Sequence, residues 1–347
     1  MPGTPHLRRG ISAGHFDSTT HEAEAGTSGR LRGQARLLAC GVTALLLGAL
    51  ISRVDIDGVS FPRWQYIVLV LGLAALHYVA TAVAVRSAAG IALPVGESML
   101  VQLAAAAANR VTPGGIGASA VTVRYFTRRG LRLPAALGAV AVLSFLGAVA
   151  DLIVLSVLVL GGRWLGLAGG PQEIKVLVAH IAHLVAPLAS PWLWSAAIAT
   201  GTGLLLICIR SGRAGRARRW RQFWTPLDRI LRRPSSFAVL LIASGATTLI
   251  LAFAFIASTA MVAGPRPQAS LGALLVGFMI GAAAGSAVPV PGGLGSTETA
   301  LVGILVQLQV PASHAAEEVL IFRVLTFWLP AALGLLATRR LYRLRAL

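Results

Sequence analysis

Four ionisable residues, Arg110, Asp151, Glu298 and Arg323, stand inside stretches that are otherwise apolar. A charge placed in hydrocarbon is unfavourable, so such residues face a partner or a wet cavity. Their types suit two kinds of chemistry. Guanidinium groups can hold a phosphate or another anion, and carboxylates can neutralise them in pairs. Glu298 could pair with Arg323 in the second half of the chain, and Arg110 with Asp151 in the first. Structural ion pairs and substrate-binding groups are both open readings of these four. Asn109, Thr297 and Gln102 can add hydrogen bonds beside them. Glu97 reads as an interfacial residue, His77 as a packed residue alone on its span, and Glu317 and Glu318 as a solvated helix start.

Other chemistries find no residues. The sequence holds no His/Cys pattern for zinc, no Walker loop and no serine elbow, so no catalytic residue, metal or cofactor is expected. Cys40 and Cys208 fall inside apolar runs, where thiols act as small hydrophobes. The apolar stretch follows Cys40 rather than preceding it, and no cleavage site comes after. The first apolar run, 37–51, therefore reads as an uncleaved span.

The charged candidates border a motif that occurs twice. Val111-Thr112-Pro113-Gly114-Gly115-Ile116-Gly117-Ala118-Ser119 is matched by Pro289-Val290-Pro291-Gly292-Gly293-Leu294-Gly295-Ser296-Thr297, 178 positions on. Each copy interrupts an apolar region, 94–128 or 269–309. Each follows a helix rich in small residues and precedes a second short helix and then a full span. Pro and Gly free backbone groups that lipid cannot satisfy, so such turns belong inside protein or beside a wet cavity. Helices starting after Gly117 and Gly295 would present N–H groups to an anion. Close helix packing at glycines is the alternative reading.

The elements that must position these turns are apolar segments at 37–51, 65–85, 134–160, 192–210, 236–263 and 315–337. Of the 347 residues 56% are hydrophobic and only 12% charged, where soluble domains carry about 25%. The fold class is therefore an all-α integral membrane protein, a domain at 37–340 with a disordered cytoplasmic tail at 1–36 and a basic cytoplasmic end at 341–347. The formal charge is +18. If each unbroken segment crosses once and each broken region returns to the side it entered, 23 basic residues fall on one face and five on the other. Arg110 and Arg323 remain at depth. Positive residues mark the cytoplasmic face, so the chain is expected to be a multi-pass protein of the plasma membrane with both termini cytoplasmic. This topology enters one hairpin from each side. Each half then has about three spans and one broken re-entrant hairpin, and the halves are inverted, a plan that suits alternating access. The segment 176–189, with His180 and His183, lies on the outer interface. Nucleic acid is excluded as a partner because so apolar a chain has little solvated surface on which to display its charge.

Asn109-Arg110-Val111-Thr112-Pro113-Gly114-Gly115-Ile116-Gly117, with Arg124-Tyr125 and Arg128-Arg129-Gly130, resembles the first signature of the lysylphosphatidylglycerol synthase transmembrane region, or flippase-like domain. Pro289 to Glu298, with Phe322-Arg323-Val324-Leu325-Thr326-Phe327-Trp328-Leu329-Pro330, resembles the second. The resemblance covers roughly residues 35–340. It places Pro113, Gly114, Gly117, Asp151, Pro291, Gly292, Gly295, Glu298 and Arg323 on motif positions. It implies a membrane domain that moves a lipid, or a lipid-linked head group, between leaflets. Many members carry Gly-Glu after the first turn. Gly117-Ala118 stands here, so no acidic role transfers to that hairpin. About ten residues follow the last span, placed by the ~20 residues a crossing needs, so the soluble aminoacyl-transferase domain of bifunctional members is not expected.

The leading expectation is a lipid flippase whose hairpins form a groove in which Arg110 and Arg323 attract an anionic or phosphate-bearing head group. An ion-coupled carrier of a small anion, using Asp151 and Glu298 for the coupling cation, is a second reading. A third is a non-transporting partner that docks a cytoplasmic enzyme through the Arg210–Arg233 loop. A homo-oligomer is compatible with each.

Overall fold

The computed structural model of the chain describes residues 63–112, 115–161, 213–262, 267, 269–287, 292–344 and 346–347. Every described element is helical. The apolar runs 37–51 and 192–210, the segment 176–189 and both cysteines lie outside these residues.

Four helices are long and apolar enough to cross a bilayer: α1 (Trp64–Ala89), α4 (Leu133–Gly161), α6 (Pro234–Thr259) and the composite helix Ala312–Arg343. At 26 to 32 residues each exceeds the ~20 that a crossing requires. They follow the apolar runs predicted at 65–85, 134–160, 236–263 and 315–337. Large apolar side chains such as Phe145, Ile242 and Leu335 point outward, the arrangement expected when lipid rather than water is the solvent. The inner seams are built from small residues, among them Ala82, Ala252, Ala254 and Ala273. Small side chains let helix backbones approach and gain dispersion contacts where no hydrophobic force separates protein from lipid.

Between the long helices lie two pairs of short ones. Val95–Arg110 (α2) and Ile116–Arg128 (α3) form the first, and Leu271–Ala287 (α7) and Ser296–Gln307 (α8) the second. At 1.5 Å per residue none of the four reaches the ~30 Å of a hydrocarbon core. Within each pair the two helices pack on one another. In the second pair a Cβ at Gly285 would lie 2.6 Å from the Thr297 hydroxyl, so this crossing requires glycine. Helix α2 packs along the end of the chain, where the backbone of Leu103 meets Gly334.

The composite last span is α9 (Ala312–Arg323), a π-helical turn (Val324–Trp328) and α10 (Leu329–Arg343). Pro330 lacks the N–H that an α-helix would bond to Thr326, and the widened turn spans that gap. Helix α10 runs to Arg343, and Leu341, Ala346 and Leu347 pack with Tyr125 and Phe126. The expected solvated start of this span is corrected at Glu318. Helix α9 buries Ala315, Glu318, Val319 and Phe322 at helical spacing, leaving Glu318 only 2% exposed. The Arg-rich stretch after residue 210 is also not the loop expected. It forms α5 (Arg213–Leu231), which packs against α4 and α6.

Candidate functional site

The repeated motif builds two related turns with different helix starts. Gly115 and its counterpart Gly293 both take the left-handed conformation, at φ 75° and 65°. Each carbonyl accepts the N–H four residues on, from Ser119 and Thr297 respectively, at 3.1 Å. In the first turn the Thr112 hydroxyl donates to the Ala108 carbonyl at 3.0 Å and accepts the Gly117 N–H at 2.9 Å. Helix α3 therefore begins at Ile116, and the expected start after Gly117 is corrected. That N–H is already satisfied and is not offered to an anion. In the second turn Gly295 has φ 80° and α8 begins just after it, as expected. Pro113, Gly114 and Pro291 lie outside the described residues.

The two turns converge on one cavity of about 600 Å³. Helical spacing puts Gln102, Ala106, Asn109 and Arg110 on one face of α2, and all four line the cavity. Thr297 and Ser286 line it from the second hairpin, His77, Tyr78 and Thr81 from α1, and Arg323, Thr326 and Phe327 from the last span. Three buried polar atoms on α2 have no protein partner: Gln102 Nε2, Asn109 Oδ1 and Arg110 Nε. Buried polar groups are normally hydrogen-bonded, so their common face is equipped for a polar occupant.

Phe327 joins the two arginines. The Arg110 guanidinium carbon lies 3.1 Å from its ring centroid and that of Arg323 3.6 Å. Arg110 also donates through Nη2 to the Phe327 carbonyl at 3.1 Å, at the π-helical turn. Gly292, left-handed at φ 62°, completes the contact, since a Cβ there would lie 3.1 Å from Phe327 Cζ and 3.4 Å from Arg110 Cα. Arg323 donates to Glu298 Oε1 at 2.7 Å, with side-chain exposures of 9% and 19%, so the expected second-half pair is formed. The expected first-half pair is not. Asp151 instead accepts from the Thr248 hydroxyl of α6 at 2.5 Å and does not line the cavity. Among the described residues Arg110 has no carboxylate partner. One arginine is neutralised and the other is not.

His77 is packed as expected, edge-on to Tyr78 and with Nδ1 3.1 Å from the Thr247 carbonyl, yet it also borders the cavity. Tyr78 and Phe327 were not singled out by the sequence. The Phe-Trp-Leu-Pro run was visible, but nothing in it indicated that its proline would widen a helix and aim a ring at two arginines. At the other end of the first hairpin, Glu97 binds Arg129 through both oxygens, with Arg129 Nε at 2.8 Å. This bonding raises the Arg129 pKa above its usual value. The pair ties the start of α2 to the end of α3.

Residues 36–334 match the family described as the lysylphosphatidylglycerol synthase transmembrane region. The chain belongs to that family. The match spans the four long helices almost entirely and both short pairs, so the resemblance of the two motifs extends over the whole membrane region. What matches is the membrane part of these lipid-modifying proteins, and with the four spans it makes the chain a multi-pass protein of the lipid-handling class. The search of curated proteins finds no match.

Proposed function

We propose that the chain is a lipid flippase of the plasma membrane that draws an anionic head group into the cavity between the two hairpins while the acyl chains stay in the bilayer. The observation that carries this reading is Arg110. A guanidinium at membrane depth with no carboxylate partner among the described residues is unfavourable until an anion reaches it. Two orphaned donors on the same helix face, Arg110 Nε and Gln102 Nε2, suit the oxygens of a phosphate, and Asn109 Oδ1 can accept from a head-group hydroxyl. Arg323, already neutralised by Glu298, holds the Phe327 platform in place and adds hydrogen-bonding capacity rather than net charge.

The order long, short, short, long occurs twice, and the second set of elements follows the first by about the same 178 positions as the glycine motif. Together with the split of basic residues, this supports two inverted halves, re-entrant hairpins and cytoplasmic termini. Two halves that rock about α1 and α6, which pack against each other, would present one cavity to each leaflet in turn.

The ion-coupled carrier is less well supported. Glu298 is held by Arg323, and Asp151 by Thr248 away from the cavity, so neither carboxylate is placed there to receive a cation. The test is redistribution of a head-group-labelled phosphatidylglycerol in proteoliposomes. Faster equilibration than in protein-free vesicles, with lipids that have no phosphate excluded, is the expected result. Equal rates with folded protein would overturn the reading.

A further inference from the structure

A second basic pocket, of about 280 Å³, lies apart from the cavity, between α5 and the turn joining α3 to α4. Arg129, Arg132 and Arg229 line it with Gln222 and Thr225, and among the described residues no acidic one does. Two of its arginines are already occupied. Arg129 is bound to Glu97, and Arg229 donates to the Ala89 and Gly90 carbonyls at the end of α1, at 3.2 and 3.4 Å. The Arg132 carbonyl accepts the Ala136 N–H at 2.9 Å, but its side chain has no hydrogen bond or ion pair among the described residues, and the residue is exposed.

Helix α5 indicates which anion would reach this pocket. It rests on the bundle through Phe223, whose backbone comes so close to Gly138 of α4 that a Cβ there would clash, and through the buried Pro226 and Ile230. Gln222, Thr225 and Arg229 face the pocket on one flank of that line. Trp220 and Trp224 lie on the other, edge to face with ring centroids 5.6 Å apart and 56% and 42% exposed. Exposed tryptophans beside Arg218, Arg219 and Arg221 are the side chains that settle at head-group level, with rings at the acyl boundary and cations among phosphates. We propose that α5 lies in the head-group layer and that the pocket beneath it binds the phosphate of an anionic phospholipid, with Arg132 as the principal cation and the Gln222 amide as a hydrogen-bond donor beside it, while the Thr225 hydroxyl is taken up by the Arg221 carbonyl at 2.8 Å. This site is separate from the transport cavity and stands whether or not that cavity carries lipid. It would make the seating of α5, and through it the ends of α1 and α4, sensitive to the anionic lipid content of the leaflet.

The test counts lipids retained by the purified full chain in native mass spectrometry after exchange into phosphatidylglycerol. Besides any lipid held by the cavity, wild type is expected to hold one phosphatidylglycerol that Arg132→Ala and Gln222→Ala each bind about tenfold more weakly, the size of one lost charge-assisted hydrogen bond. Arg218→Ala, which removes the same charge outside the pocket, and Arg110→Ala are expected to retain it. Phosphatidylcholine should not replace it, and millimolar inorganic phosphate should not displace it. Equal loss in Arg218→Ala would reduce the effect to overall charge and overturn the site. Displacement by inorganic phosphate would overturn its assignment to a lipid. Unchanged retention in both pocket variants, with thermal melting showing that they are folded, would also overturn it.

Discussion

Arg110 and Arg323 share one aromatic ring but differ in their partners, and substitutions should separate the roles proposed for them. Arg110→Ala removes the uncompensated charge and a bond to the Phe327 carbonyl. Loss of a charge-assisted hydrogen bond is worth ~1.5–3 kcal/mol, so transport of an anionic lipid should fall by at least about tenfold. Arg110→Lys keeps the charge but loses the planar stack, and should give an intermediate rate in the same vesicle assay. Arg323→Ala should act first on stability, because it leaves Glu298 buried without its partner. Breaking such a pair costs about 3–5 kcal/mol, and Arg323→Ala/Glu298→Ala should recover part of that loss in thermal unfolding. A double variant no more stable than the single one would contradict this division. The Glu298–Arg323 pair was legible in the sequence because two opposite charges in adjacent apolar elements have few other partners. The Arg110–Asp151 pairing was misread for a physical reason. Thr248, on a helix 97 residues away in sequence, satisfies Asp151, and a hydroxyl in an apolar span leaves no pattern that marks it as a carboxylate partner.

At the scale of elements, the hairpins and the last span set the geometry that these side chains use. The interrupted regions were readable from Pro and Gly inside apolar runs, as were the four long helices from length and hydropathy. The π-helical turn was not, because a single proline in a helix can produce a kink, a break or a widened turn depending on what packs around it. Here its consequence is local geometry, since the turn presents the Phe327 carbonyl to Arg110, and the proposed function rests on that contact. Pro330→Ala restores an N–H and favours a regular α-helix, shifting the Phe327 register by a residue. The expected outcome is equal or higher melting temperature with slower lipid transport, and transport at the wild-type rate would contradict it. Gly285→Val is the converse case. Its side chain would push α8 away at Thr297, so melting temperature should drop along with transport, consistent with overpacking costs of ~1–3 kcal/mol or more. The burial of Glu318 and the helical form of the Arg-rich stretch were hidden for a related reason. A helix face is chosen by its neighbours, and local sequence carries charge more plainly than it carries packing.

For the molecule as a whole, the proposed topology assigns most of the basic excess to orientation, and among the described basic residues Arg110 and Arg323 line the cavity. Orientation is directly testable. On a background with Cys40 and Cys208 replaced by Ala, Arg219→Cys should react with an impermeant thiol reagent only after membranes are opened, and Gln309→Cys in intact cells. The opposite pattern would invert the two halves. The central claim, that a lipid head group occupies the space between the hairpins, is tested most directly at Asn109, whose side chain lines the cavity next to Arg110. On the same background Asn109→Cys should be labelled by a phospholipid carrying a thiol-reactive head group. An excess of unlabelled phosphatidylglycerol should suppress labelling, and an excess of diacylglycerol should not. Absence of labelling, or labelling indifferent to competing anionic lipid, would contradict the account.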